Sequence, residues 1–270
     1  MRVFKISVAF AIALYLFFMA IYFATQRGLL YYPNHSYVPL SEVHANKAFQ
    51  EISVRTSDNL ELRGWYAPAT TKPFTIIFFH GNADSLSATA QIVDPYVAAG
   101  YGVLLTEYRG YSGLPGSPTE TGLYNDGRAF IRELARRGVE TNHMILYGHS
   151  LGTGVAVQMA EEFPVGGLML LAPYLSIPKL ARIHFWFFPS SLLALDRFEN
   201  EKKIGKVRGP ILIANGDEDQ VIPPSQGTQL FALANQPKEF RSLPGRGHND
   251  AFDRFAPLSI DWIARACAPN

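Results

Sequence analysis

Several kinds of site are missing from this chain. It has one cysteine in 270 residues, Cys267, so no internal disulfide forms, and a lone thiol this close to the carboxyl end has little claim to chemistry. No H-E-x-x-H or C-x-x-C pattern occurs, which argues against a bound metal. Charge of either sign is scarcely in excess: 24 Lys and Arg face 23 Asp and Glu, and the cations are dispersed without a basic patch, which argues against a nucleic-acid partner. Phosphate-cradling glycine loops are absent too. Gly113-Leu114-Pro115-Gly116 and Gly152-Thr153-Gly154 lack the Lys-Ser/Thr pair or third glycine such a loop needs, and no cofactor is implied. There is no internal repeat or low-complexity tract, and nothing speaks to oligomeric state.

Charge is absent altogether from Ile6 to Ala24. Those 19 residues, as a helix, reach roughly 28 Å at about 1.5 Å each, close to the hydrocarbon thickness of a bilayer. Their large apolar side chains favour insertion by roughly 3 to 6 kcal/mol. Arg2, Lys5 and the terminal amine precede the run and only Arg27 follows closely, so the positive-inside bias places the amino terminus in the cytoplasm and the rest outside it. A cleaved signal peptide is the competing reading, but Tyr22-Phe23-Ala24-Thr25-Gln26 is a weak cleavage site. The expected organisation is an anchor over 1–27 and one domain over 28–270, a length that suits a single α/β unit.

Within that domain, Gly148-His149-Ser150-Leu151-Gly152 lies between the apolar run Met144-Ile145-Leu146-Tyr147 and the helix-forming Val155-Ala156-Val157-Gln158-Met159-Ala160. A G-x-S-x-G at a strand-to-helix junction is a sharp turn that strains the serine and pushes its Oγ out of the packing. Glycines flank it because larger residues would strike the crossing chain. The helix starting there also aims unpaired N–H groups and the positive end of its dipole at the serine.

A serine hydroxyl needs a base to take its proton, and the base needs an orienting group. The buried-strand run Pro210-Ile211-Leu212-Ile213-Ala214 leads into Asn215-Gly216-Asp217-Glu218-Asp219-Gln220-Val221-Ile222-Pro223, a turn with three carboxylates. The alternating Lys238–Leu243 leads into Pro244-Gly245-Arg246-Gly247-His248-Asn249-Asp250. The candidates are therefore Ser150, a carboxylate among Asp217, Glu218 and Asp219, and His248, each just past a strand's carboxyl end. An oxyanion needs two donors, which the backbone N–H groups of Leu151 and of Asn82 supply, the latter in His80-Gly81-Asn82 after the apolar run Phe74–Phe79.

Strands are expected near 50–56, 60–67, 74–79, 102–107, 143–147, 168–172, 210–214 and 238–243, with helices between the later ones. The first two form an antiparallel edge of a mostly parallel sheet covered on both faces. Together with Gln26–Pro33, Glu107-Tyr108-Arg109-Gly110-Tyr111-Ser112-Gly113 and Gly116–Glu120, these motifs resemble the α/β-hydrolase superfamily, and within it the membrane-anchored, bud-emergence-related serine hydrolases. The resemblance runs from about residue 5 to the carboxyl end. Glu107 stands where that branch usually has aspartate, and Ser112 where glycine is usual. The resemblance implies an α/β-hydrolase fold with an eight-stranded sheet, hydrolysis of esters or thioesters of lipid-like substrates, and Asp219, rather than Asp217 or Glu218, as the acid.

Other residues have plainer roles. His149 flanks the turn. His35, His44, His143 and His184 read as surface or packing residues, and Arg109 with Asp126 as a pair holding the Glu107 loop. Tyr108 and Tyr111 are candidates for the substrate cleft, balanced against packing. Specificity is expected from a short cap over about 174–200, whose run His184-Phe185-Trp186-Phe187-Phe188 is too short to cross a bilayer. It either packs on the core or presents Phe185 and Trp186 as an apolar wall dipping into the membrane interface. With the anchor, that favours an acyl-ester substrate and contact with membrane lipid. An acyl-protein thioesterase uses the same residues, and a catalytically silent membrane scaffold is the alternative from another class. A peptidase is disfavoured, since no acidic pair for a substrate amino terminus is visible.

Overall fold

The computed structural model describes residues 2–267. Met1 and residues 268–270, which fall inside the anchor and domain ranges above, lie outside the described residues. Eight strands are present: β1 (Gln50–Arg55), β2 (Glu61–Ala67), β3 (Thr75–Phe79), β4 (Gly102–Thr106), β5 (Met144–His149), β6 (Gly167–Leu171), β7 (Ile211–Gly216) and β8 (Lys238–Leu243). They form one sheet in the order β1-β2-β4-β3-β5-β6-β7-β8. The expected antiparallel edge is there, with Gln50 opposite Tyr66, but β2 also runs antiparallel to β4; every pairing from β4 to β8 is parallel.

The helices are α1 (Arg2–Leu30), α2 (Leu86–Ala98), α3 (Glu120–Arg136), α4 (Gly152–Glu162), α5 (Ile177–His184), α6 (Ser190–Leu193), α7 (Asn200–Lys203), α8 (Pro224–Leu233) and α9 (Phe252–Ala266). Side chains alternate across β3, so Ile76 and Phe78 pack with Val93, Tyr96, Phe255 and Trp262 of α2 and α9. Ile77 and Phe79 face the other way, toward Leu123, Phe130, Val155 and Met159 of α3 and α4. Each such side chain, fully buried, contributes roughly 1.5–3 kcal/mol. Ser85 and Thr119 cap α2 and α3, accepting from the N–H groups of Ala88 and Gly122.

The chain leaves β3 for β4 on one side and returns to β5 on the other, so the carboxyl ends of β3 and β5 flank the crevice where such sheets bind ligands. Phe79 pairs with Gly148, which makes the loops following those strands immediate neighbours. Helix α1 touches this core only near its carboxyl end, where Leu30 packs against it. Phe4, Ile6 and Phe10 are exposed, and Phe4–Leu30 is long and apolar enough to cross a membrane by length and composition.

Candidate active site

Ser150 follows β5 with a φ of +51°, a left-handed conformation that a side chain resists and a tight turn imposes. The flanking glycines are required by contact. A Cβ on Gly148 would lie 2.6 Å from Thr153 Cα, and one on Gly152 would run into the Phe79 carbonyl and stand 2.7 Å from the His80 carbonyl oxygen. The turn therefore presses against the end of β3. Helix α4 begins there with no side-chain cap.

The three expected side chains meet. His248 Nε2 lies 2.9 Å from Ser150 Oγ, and its Nδ1 lies 2.8 Å from Asp219 Oδ2. The other Asp219 oxygen accepts the N–H groups of Val221 and Ile222 at 2.9 and 2.8 Å, which fixes the carboxylate and sets the ring's Nδ1–H toward it, leaving Nε2 as the acceptor for the serine hydroxyl. Gly216 lets the two loops close up, because a Cβ there would run into the Arg246 carbonyl and lie 2.6 Å from that of Gly247. His149 steadies the histidine loop: its Nε2 is 3.3 Å from the His248 carbonyl oxygen and its ring stacks edge-on against Phe252.

Asn82 and Leu151 sit beside Ser150 in the wall of a cavity of about 190 Å³. Neither backbone N–H has an acceptor among the described residues. The Asn82 loop is pinned from three directions: its carbonyl accepts Tyr111 Oη at 2.9 Å and the Tyr32 N–H at 3.1 Å, and its side chain donates to the Leu30 carbonyl at 3.1 Å. A segment held this way keeps its N–H aim without reorganising during a reaction.

A family model described as serine aminopeptidase, S33, matches residues 72–197. An uncharacterized protein of Mycobacterium tuberculosis is 34% identical over 89% of this chain and 86% of its own length. The chain belongs to the α/β-hydrolase superfamily. The human alpha/beta hydrolase domain-containing protein 17B is 34% identical over 66% of this hydrolase, which spans 61% of that protein. Among solved structures, an esterase of Pyrococcus furiosus superposes with a TM-score of 0.72 at 16% identity, covering 88% of this chain and 99% of that one, a likeness of fold.

Beneath the Asn82 loop of the hydrolase lies a buried pair that sequence reading passed over. His80 Nε2 is 2.8 Å from Glu107 Oε1 and its Nδ1 is 2.7 Å from the Gly81 carbonyl oxygen, so both ring nitrogens face acceptors and the doubly protonated ring satisfies them. Burial works against that charge, but Glu107 outweighs it and raises the His80 pKa. Glu107 also accepts from Leu86 N–H, Tyr108 N–H and Ser112 Oγ. The serine standing where glycine is usual thus has a use: it ties the same carboxylate. Nearby, the Asp84 carboxylate accepts the Gly81 N–H at 3.1 Å; burial pushes its pKa up, and His149 and His80 bring it below the ordinary value.

Arg109 and Asp126 pair as expected, through contacts of 2.7 and 2.9 Å, and Asp58 clamps the guanidinium from outside at 2.7 Å. Burial pushes Asp126 up to about 6 against the pull of Arg109, and the hydrogen bond from Arg109 holds Asp58 at about 2.

Three candidate substrate contacts need correcting. Tyr108 and Tyr111 are wholly buried and outside the cavity lining, because their hydroxyls are used by the His80 and Asn82 carbonyls at 3.1 and 2.9 Å and their rings pack on His80. Trp186 is 80% exposed and also outside the lining; it meets Phe187 edge-on. Phe185 does line the cavity, with Ile177, Leu180 and Phe188.

The opposite wall was not foreseen. Tyr22, Gln26, Arg27, Leu29 and Leu30 of α1 line the same cavity as Ser150. Arg27 grips Asp196 at 2.7 and 3.3 Å, Gln26 bonds the cap backbone at Leu193 and Leu195, and the Tyr22 ring packs 4.3 Å from that of Phe188. A hydrophobic run signals length in sequence; it carries no mark of what its last two turns touch.

Proposed function

We propose that this chain is a membrane-anchored serine hydrolase of carboxylic esters with lipid-like acyl groups, of the bud-emergence-related branch, with 28–270 as its catalytic domain and 174–200 as the cap. The contact series Ser150 Oγ to His248 Nε2 to Asp219 carries this reading. In it, His248 Nε2 takes the Ser150 proton as Oγ attacks the acyl carbonyl carbon, and the N–H groups of Asn82 and Leu151 hold the oxyanion. The tetrahedral adduct collapses, the alcohol leaves with the proton from His248, and the acyl group stays on Ser150. Water then gives a proton to His248 and its oxygen to the acyl carbon; the acid leaves and the proton returns to Ser150. Residues 6–24 span the bilayer, with the amino terminus cytoplasmic and the catalytic domain outside.

An apolar cavity wall of Ile177, Leu180, Phe185 and Phe188 supports an acyl chain. The single carboxylate among the described lining residues, Asp196, is taken by Arg27 and by the Glu120 N–H, so no free anion awaits a substrate ammonium, which disfavours aminopeptidase action. A thioester fits the same machinery. A fluorophosphonate probe tests the reading: it labels the wild-type chain and not Ser150→Ala, whereas a folded wild type that resists labelling makes the protein a silent scaffold. Competing oxygen and sulfur esters of equal chain length assign the preference.

A further inference from the structure

The cap's outer surface carries exposed apolar side chains that nothing among the described residues covers. Trp186 is 80% and Leu192 82% exposed, with Ile183, Phe187 and Leu195 partly bare beside them. No charge occurs from Phe185 to Leu195, whereas Lys179, Arg182 and His184 precede that run and Asp196 and Arg197 follow it. A soluble surface seldom keeps so many large apolar groups together without something to cover them.

The position of this face says what covers it. It is continuous with α1: Tyr22 packs edge-on against Phe185 and Phe187, and Tyr15 Oη donates to the Phe187 carbonyl at 3.0 Å. Lys5 and Arg27 bracket the apolar part of that helix, roughly 33 Å apart at about 1.5 Å per residue, which matches a bilayer. With Arg27 and its partner Asp196 at headgroup level, Tyr22 and the aromatic tip it touches lie about 7.5 Å deeper, within the roughly 5–10 Å that interfacial segments reach. Tyr22 also lines both the Ser150 cavity and a second apolar groove formed with Tyr15, Phe18 and Phe187, so the cavity adjoins a path at hydrocarbon depth.

The geometry points to insertion of the cap face into the leaflet beside α1, so that the site draws its acyl substrate sideways out of the bilayer. The word substrate rests on the hydrolase reading, and the insertion rests only on α1 spanning the bilayer. A second copy of the chain covering the same face is the competing occupant.

Trp186 is its own reporter, because Trp65 and Trp262, the other two tryptophans, are 0% and 2% exposed in the core. The full chain, reconstituted in phosphatidylcholine vesicles, is compared with the same chain in vesicles whose acyl chains carry bromine. Insertion predicts quenching in the brominated vesicles that Trp186→Phe largely removes. Unquenched emission overturns it, as does protection of Trp186 by self-association. In a second arm, Leu192→Asp, outside the cavity lining, lowers hydrolysis of a long-chain ester embedded in vesicles about tenfold or more, since burying one leucine is worth roughly 1.5–3 kcal/mol. Its rate on a short, water-soluble ester stays unchanged. Equal rates on the embedded ester for both proteins overturn the lateral route. A wild type that cleaves neither ester condemns the hydrolase reading alone, and quenching still decides the insertion.

Discussion

The two walls of the cavity are built on different principles. On the Ser150 side, backbone turns do the positioning: glycines at 148, 152 and 216 allow approaches that any Cβ would block, and buried carboxylates at 107 and 219 collect several donors each. On the α1 side, that helix meets the 174–200 segment through aromatic rings, one ion pair and a glutamine. The first wall has little freedom and suits fixed chemistry. The second is made of adaptable contacts, the kind that select a substrate and tolerate change.

That contrast makes graded predictions. Ser150→Ala should reduce ester turnover by about 10⁴-fold or more, with the melting temperature little changed, as read by steady-state kinetics and calorimetry. Asp219→Asn should cost about 10³–10⁴-fold in kcat, because the ring loses the acceptor that sets its tautomer. Glu107→Gln strips a buried charged imidazole of its partner and should cost about 3–5 kcal/mol of stability in a urea titration. The mildest break is on the other wall. Arg27→Gln removes a half-exposed guanidinium from the buried Asp196, which keeps the Glu120 N–H, and should cost about 1–2 kcal/mol and raise KM for a long-chain ester more than it lowers kcat. Equal damage from Arg27→Gln and Glu107→Gln would erase the distinction between the walls.

Acidity probes the Ser150 side further. The His80 pKa is raised in the folded chain, so the stability it contributes is complete below its unfolded pKa and is lost as pH rises through the folded one. Asp126 acts in the same sense, raised from 3.8 to about 6: its contribution is present below about 4 and lost as pH passes about 6. Asp58, lowered to about 2, works oppositely, and only in strong acid. Thermal melts should therefore show stability declining from about pH 4 upward, with the part of the decline above 6.5 shallower in Glu107→Gln.

The difference between the walls also decides what was legible in sequence. Apolar runs ending in turn residues located all eight strands to within two residues, and the spacing of Ser150, Asp219 and His248 past strand ends anticipated their meeting, since each lies next to a strand it depends on. The antiparallel β2–β4 pairing escaped notice because it joins segments nearly forty residues apart, and no local pattern records that. Tyr108 and Tyr111 were ambiguous because a tyrosine's two possible uses, hydroxyl to backbone or ring to ligand, look alike in one dimension. His80 beside glycine gave one usable hint: a histidine just past a buried strand, with an acid just past the next, sits at neighbouring strand ends.

A serine hydrolase built on Ser150 must carry the acyl group on that residue during turnover. Mixing the full chain with an activated acyl ester, quenching in acid within the first turnover and mapping the peptides by mass measures this directly. One acyl increment is expected on the peptide containing Ser150, disappearing in Ser150→Ala together with turnover. An acyl group on another residue, or ester cleavage that survives the substitution, would contradict it.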